Sequence, residues 1–184
     1  MVARMVMAFI DRLERAYWRD HFGYPGRTVL IVGMGGFLGT ALRKTLDDQR
    51  RNRRSFEEYV EEFREVPIES DVVDCSADLN TDSLHARLAL AKGRARRYVY
   101  LSSVAVTHAL GKAPWTDYSE RKYEGECHAR EQGATIVRLP TIYGGPGWRS
   151  WPVQAVKAMC VGSAVREMRS RQWAVQQIMA ALEP

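Results

Sequence analysis

The chain has 184 residues, 46% of them hydrophobic and 27% charged, which suits one globular domain large enough to bury a real core. Its three cysteines, Cys75, Cys127 and Cys160, are odd in number and widely spaced, which excludes a disulfide framework or a C-x-x-C metal site and fits reduced thiols in a cytoplasm-like compartment or an organellar matrix. The net charge of +5 comes mostly from arginine, with a local cluster at Arg50, Arg51, Arg53 and Arg54 that reads either as a solvated helix end or as an anion site.

Residues 2–21 carry an apolar stripe of Val2, Met5, Val6, Phe9, Ile10, Leu13 and Tyr17, with charged residues facing away, and predict an amphipathic helix. Charges interrupt its apolar run, so it is no secretory signal, and Asp11, Glu14 and Asp20 make it a poor presequence. No stretch is long enough to span a membrane. Gly23, Pro25 and Gly26 end the segment.

Thr28 to Val32 then reads as a buried strand, followed at once by Gly33, Gly36 and Gly39 and by Phe37, Leu38, Ala41, Leu42 and Leu46 at helical spacing. Strand, glycine turn and helix start form the phosphate-binding corner of a Rossmann unit. Gly33 turns the chain out of the strand, Gly36 leaves room for a pyrophosphate at the backbone, and Gly39 lets helix and strand approach. The helix dipole and its free N–H groups would hold the phosphate charge.

Asp47 to Arg54 is polar, and Ser55 to Phe63 reads as a helix whose Ser55 and Glu58 fit a capping box. No second strand and no ribose-binding acid are evident here. Asp71 to Ala77 reads as the next strand, Asn80 to Ala91 as a helix ended by Gly93, and Arg97 to Ser103 as a strand ending in paired serines. Val104 to Trp115 is a short connection, and Tyr118-Ser119-Glu120-Arg121-Lys122 sits on a helix running to about Gln132. Thr135 to Pro140 is another strand, with a turn at 141–147, and residues 151–162 and 171–182 read as helices. The domain layout is an N-terminal helical extension at 1–26, a core at 27–147 and a reduced C-terminal helical region at 148–184.

The spacing G-x-x-G-x-x-G, the strand at 71–77, the paired serines, Y-x-x-x-K and the turn after Arg138-Leu139-Pro140 occur in the order of the extended short-chain dehydrogenase/reductase superfamily, the epimerase-like enzymes, which the chain resembles over about residues 28–147. The resemblance implies an α/β fold: a reduced, doubly wound, Rossmann-like parallel sheet, with the N-terminal helix as an addition. Departures are Cys75 and Asp78 at positions where the family carries His and Ala, Leu139 before the proline, and a nearly absent loop after Ala77.

The resemblance implies a catalytic set of Ser103, Tyr118 and Lys122. Positions 118 and 122 lie one helical turn apart and share a face. A nearby ammonium and the cofactor's positive ring favour the phenolate of a tyrosine that otherwise titrates near pH 10, so that it serves as acid or base. Lys122 would also bond the nicotinamide ribose, and Ser103 the substrate oxygen. Further cofactor contacts implied are Gly33, Gly36, Phe37, Leu38, Gly39, Arg43, Ala77, Ser102, Pro140 and Ile142. NADP or NAD is the expected cofactor, with Arg43 and the arginine cluster tilting towards NADP.

Two functions follow. One is an NAD(P)-dependent oxidoreductase or epimerase acting on a hydroxyl or carbonyl substrate. The other, motivated by the short length, is an inactive relative serving as a structural or regulatory subunit of a larger complex. Val104 and Ala105 replace the acidic pair of the family's dehydratases, which argues against dehydration. The four histidines show no metal pairing, and G-x-S-x-G is absent. Family helices of the Tyr118 type pair in dimers, which implies self-association, with the N-terminal helix as a second docking surface.

Overall fold

The computed structural model describes residues 28–49, 53–76, 79–143 and 169–183. The expected helices at 2–21 and 151–162, residues Ala77 and Asp78, and the glycines of the 141–147 turn lie outside them.

Strand β1 (Val29–Val32) leads through the glycine turn into helix α1 (Phe37–Asp48). Strand β2 (Arg53–Ser55) and helix α2 (Phe56–Phe63) follow. Next come β3 (Asp71–Asp74), α3 (Thr81–Ala91), β4 (Arg97–Ser103) and α4 (Val104–Leu110). The chain continues with α5 (Asp117–Glu131), β5 (Thr135–Leu139), β6 (Ile142–Tyr143), β7 (Arg169–Ser170) and α6 (Arg171–Leu182).

Strands β1 to β5 form one sheet in the order β2-β1-β3-β4-β5. Every pairing is parallel, with Val29 opposite both Arg53 and Asp71. A parallel sheet needs helical crossovers, which cover both of its faces, so central strands are apolar throughout rather than alternating. All four residues of β1 are buried accordingly. Side chains alternate between faces. Val29, Ile31, Val73, Val99 and Leu101 meet Leu42 and Leu46 of α1 with Val175, Ile178 and Leu182 of α6. Leu30, Val32, Val72, Tyr98 and Tyr100 meet Phe56 and Tyr59 of α2, Leu84 and Leu88 of α3, and Ala129 of α5. Burying one such aliphatic side chain contributes about 1.5–3 kcal/mol.

Two expectations are corrected. The second strand exists: β2 pairs in register with β1, through Val29–Arg53, Leu30–Arg54 and Ile31–Ser55. It is three residues long and polar because it is the sheet's edge. The connection after Ser103 contains α4, capped by the Ser103 hydroxyl, which accepts from the Ala105 N–H at 3.2 Å. Helix α6, within the expected C-terminal helical region at 148–184, packs against the main core. Arg96 ties its end to the sheet by reaching the Leu182 carbonyl at 3.5 Å while gripping buried Asp71 at 3.0 and 2.7 Å.

Capping fixes where the helices start. Asn80 accepts from the N–H groups of Asp82 and Ser83, at 2.9 and 3.4 Å. Thr116 and Ser119 form a reciprocal box that starts α5 just ahead of Tyr118. Ser55 caps α2, accepting from Glu58 N–H at 3.4 Å. Among the described residues no helix is long and apolar enough to cross a membrane.

Candidate active site

The strand order reverses between β1 and β3, and a ligand crevice forms at the carboxyl ends of the strands where such a reversal occurs. A cleft of about 770 Å³ opens there, within the usual range for a ligand pocket. Its first wall is the glycine corner. Gly33 has φ +68, a left-handed conformation suited to glycine, and a Cβ there would stand 3.3 Å from the Ser76 Cα of the next strand's end. Gly39 is fixed by packing: a Cβ would meet the backbone, lying 2.8 Å from the Met34 Cα. The Gly36 N–H donates to the Gly33 carbonyl at 2.9 Å and closes the turn. Helix α1 begins with no side-chain cap and no acidic residue in its first turn, so its N–H groups and dipole stand available to an anion. Gly33, Gly36, Phe37 and Leu38 line the cleft.

Glu57, the second residue of α2, reaches this corner. Its Oε1 accepts from the Gly33 N–H at 2.9 Å, and its Oε2 accepts from the Ser55 hydroxyl at 2.7 Å. An acid thus stands at the glycine corner, where none is evident from the sequence. Its signal is spacing: an acidic residue after the second strand, about twenty residues beyond the glycines, belongs to the dinucleotide fingerprint.

Across the cleft stand Ser102 and Ser103 at the end of β4, Tyr118 and Lys122 of α5, and Leu139 to Ile142 after β5. Lys122 is buried, and its Nζ donates to the Leu101 carbonyl at 3.1 Å. It also lies 5.3 Å from the centre of the Tyr100 ring. Tyr100 fits beneath α5 because residue 125 is glycine; a Cβ there would press on the ring, 3.0 Å from Cζ. Tyr118 is 47% exposed. Ser102 is buried, and its hydroxyl has no hydrogen-bond partner. His108, which the sequence reading did not single out, lines the same end of the cleft beside Val104 and Ala105.

Helix α5 is anchored by Glu126, fully buried one turn beyond Lys122. Arg138 of β5 grips it with two bonds of 2.7 Å, Arg130 adds one of 2.9 Å, and Arg138 also reaches the Thr107 hydroxyl at 3.2 Å. Burial alone would raise the Glu126 pKa; the Arg138 hydrogen bonds, the nearby Ser102 and the charges of Arg138 and Arg130 outweigh it and hold the carboxyl below its usual range.

Beside the corner, buried Asp74 accepts from the Tyr98 hydroxyl at 2.7 Å, Arg87 Nε at 2.9 Å and the Ser76 hydroxyl at 2.6 Å. This network holds Ser76, which lines the cleft. Cys75 lies next to it; burial, then the charges of Asp74 and Glu57, push its thiol up, so it is no ready nucleophile.

Of the expected cofactor contacts, Gly33, Gly36, Phe37, Leu38, Ser102, Lys122, Pro140 and Ile142 line the cleft, and Gly39 shapes it from behind. Arg43 is not among the lining residues; it lies exposed on α1. Ala77 falls outside the described residues. Arg53 pairs with Asp47 at 2.6 Å and Arg54 with Glu62 at 2.7 Å, so these two arginines have partners of their own. Arg171, at the start of α6, stacks its guanidinium 5.3 Å from the centre of the Phe37 ring. No group of three or more potential metal ligands occurs among the described residues.

No family model matches the chain, and no curated protein matches its sequence. Solved structures do match. One is a dTDP-4-dehydrorhamnose reductase from Yersinia enterocolitica, at 20% identity and TM-score 0.60, covering 85% of this chain and 70% of that one. Another is a UDP-N-acetylglucosamine 4-epimerase from Bacillus cereus, at 14% identity and TM-score 0.57, covering 85% of this chain and 74% of that one. A third is a short-chain dehydrogenase/reductase superfamily protein from Agrobacterium tumefaciens with bound NAD, at 19% identity and TM-score 0.51, covering 64% of this chain. The chain spans 50% of the length of that protein, and 48% of a capsular polysaccharide assembling protein from Staphylococcus aureus that it also matches. By its parallel sheet, its strand order and these likenesses, the chain has the Rossmann-like fold that these solved structures share.

Proposed function

We propose that the chain is an oxidoreductase or epimerase of the extended short-chain dehydrogenase/reductase type, using a nicotinamide dinucleotide on a hydroxyl or carbonyl substrate. The observation that supports this reading is convergence. Ser103, Tyr118 and Lys122 line the same cleft as the glycine corner. A dinucleotide fits the residues present: the start of α1 is uncapped, Gly36 offers bare backbone, and the buried Ser102 hydroxyl lacks a partner.

When bound, the nicotinamide would exchange a hydride with the substrate carbon. Tyr118 would give or take the proton at the substrate oxygen, and Ser103 would hold that oxygen by a hydrogen bond. Lys122, already fixed under β4, would place a positive charge one helical turn from Tyr118. Val104 and Ala105 supply no acid or base beside Ser103, so a redox step or epimerisation fits better than dehydration.

Glu57 favours NAD over NADP, reversing the tilt drawn from the arginines. Its carboxylate stands at the corner where the adenine ribose belongs, suits a 2′-hydroxyl as acceptor and repels a 2′-phosphate. Cys75 and Cys127 are free thiols, in keeping with a reducing, cytoplasm-like compartment.

Titration of the full chain with NADH and NADPH tests the reading. Saturable NADH binding is expected, tighter than NADPH, with the preference reduced in Glu57→Gln. No binding of either form at millimolar concentration sinks it. The second reading, an inactive structural or regulatory subunit, draws on the exposure of Tyr118, since proton transfer profits from a site shielded from water. An active chain whose turnover vanishes in Tyr118→Phe would rule that reading out.

A further inference from the structure

Arg87 of α3 does not line the cleft, yet it is tied to the residue that packs against the glycine turn. Its Nε donates to Asp74 Oδ2 at 2.9 Å, and its Nη2 donates to the Ser76 hydroxyl at 3.3 Å. Asp74 Oδ1 accepts from the Ser76 N–H at 3.0 Å and from the Ser76 hydroxyl at 2.6 Å. An aspartate that bonds its own backbone two residues on forms a local turn, so the chain bends as it leaves β3. Ser76 then lays its backbone on Gly33: a Cβ on Gly33 would stand 3.3 Å from the Ser76 Cα and 3.4 Å from its N. A buried ion pair is seldom the best way to stabilise a sheet, because desolvation offsets much of its attraction. Here the Asp74 side chain is 1% exposed and that of Arg87 13%. At this place the pair does two things that an apolar pair could not. It grips Ser76 with two arms, and it neutralises a carboxylate beside the cleft wall.

We propose that Arg87 is a positioning residue for the dinucleotide site, acting from outside the cleft through Asp74 and Ser76. The proposal rests on the dinucleotide reading for the identity of the ligand. Its grip sets where the chain after β3 stands against Gly33, and so the width of the glycine corner. Its charge offsets Asp74, which would otherwise present an anion next to a site for phosphates. Without Arg87 the carboxylate keeps the neutral donors Tyr98 and Ser76 but loses its cation. The arrangement needs an arginine rather than a lysine, because two separate acceptors are met by the fork of one guanidinium.

The test measures NADH affinity by calorimetry, and melting temperature without ligand, for the full chain and its variants. Arg87→Gln is expected to weaken NADH roughly tenfold, the size of one charge-assisted hydrogen bond, and to melt lower. Arg87→Lys should recover part of the affinity, since it restores the charge but not the fork. The deciding variant replaces the whole network by apolar groups: Asp74→Leu, Arg87→Met and Tyr98→Phe together. It leaves no unpaired charge among them and should melt near or above the wild type. Its NADH affinity should nevertheless stay roughly tenfold weaker, because nothing grips Ser76. A merely structural network would regain NADH affinity along with the melting temperature, and that result overturns the proposal. If the triple variant does not fold, Ser76→Ala decides: weaker NADH at an unchanged melting temperature upholds the proposal, and unchanged affinity overturns it. NADH bound equally by wild type and Arg87→Gln overturns the proposal and leaves the dinucleotide reading standing. A wild type that binds no NADH removes that reading and the proposal with it.

Discussion

One wall of the cleft is backbone and the other is side chain. On the glycine side, Gly33 and Gly39 bring main-chain atoms within contact of one another, and any Cβ at position 39 collides with the backbone of Gly33 and Met34. On the other side, Ser103, Tyr118 and Lys122 project from β4 and α5, held by longer-range devices: the Lys122–Leu101 bond, the Tyr100 ring beneath α5 and the Glu126–Arg138 grip. A backbone wall has no rotamers to adjust, so it is specified once and tolerates little change. A side-chain wall is specified by what stands behind it. Its chemistry is exchangeable at small cost to the fold, whereas its supports are not.

The largest effect should come from the backbone wall. Gly39→Ala is expected to cost roughly 3–5 kcal/mol in urea unfolding and to abolish NADH binding, because backbone, unlike a flexible side chain, cannot swing aside. A mild loss would mean that the corner yields more than its packing implies. Next comes the deepest support of the other wall. Glu126→Gln leaves Arg138 and Arg130 without their carboxylate and should cost about 3 kcal/mol at pH 7. The Glu126 pKa is lowered on folding, so its contribution is complete above the unfolded carboxyl value and fades as pH falls through the depressed native one. The stability gap between the two proteins should therefore begin to narrow as pH falls below about 4; a constant gap down to about pH 2 would contradict the ion pair.

Gly125→Ala should be intermediate, at about 2 kcal/mol, since the buried Tyr100 ring must shift. Lys122 rides on that ring, so NADH affinity should fall with stability. The smallest change in stability belongs to the proposed proton-transfer residue. Tyr118→Phe should remain within about 0.5 kcal/mol of wild type, because the side chain is half exposed. If Tyr118→Phe unfolds the chain, the division between exchangeable chemistry and fixed supports is wrong.

The same division explains what the sequence disclosed. Strands β1, β3 and β4 announce themselves as apolar runs because both of their faces are buried, and the glycine corner shows because its backbone demands one residue type. Strand β2 reads as loop: Arg53, Arg54 and Ser55 carry no apolar pattern, and only the register with β1 makes them a strand. Glu57 was hidden with it, since an acid at the head of an acidic helix looks like ordinary dipole compensation until its distance from the glycines is counted. Helix α4 is seven residues long and partly β-branched, below the length at which periodicity is informative, though the Ser103 cap was there to be read. Glu126 and Arg138 lie twelve residues apart on different elements, and no local spacing links them. Arg171 could not be read as a neighbour of Phe37 at all, because only the packing of α6 on α1 brings them together.

The brevity of β2 has a consequence for the company the molecule keeps. A parallel sheet exposes a row of unpaired amides and carbonyls along its outermost strand, a template on which another chain can polymerise. Here that template is three residues long and bears two arginines. A second copy trying to extend the sheet from this border would gain a handful of hydrogen bonds while crowding charged side chains already committed to Asp47 and Glu62. The border beside the glycine corner is thus guarded against fibre growth by the same polar residues that hid it from view.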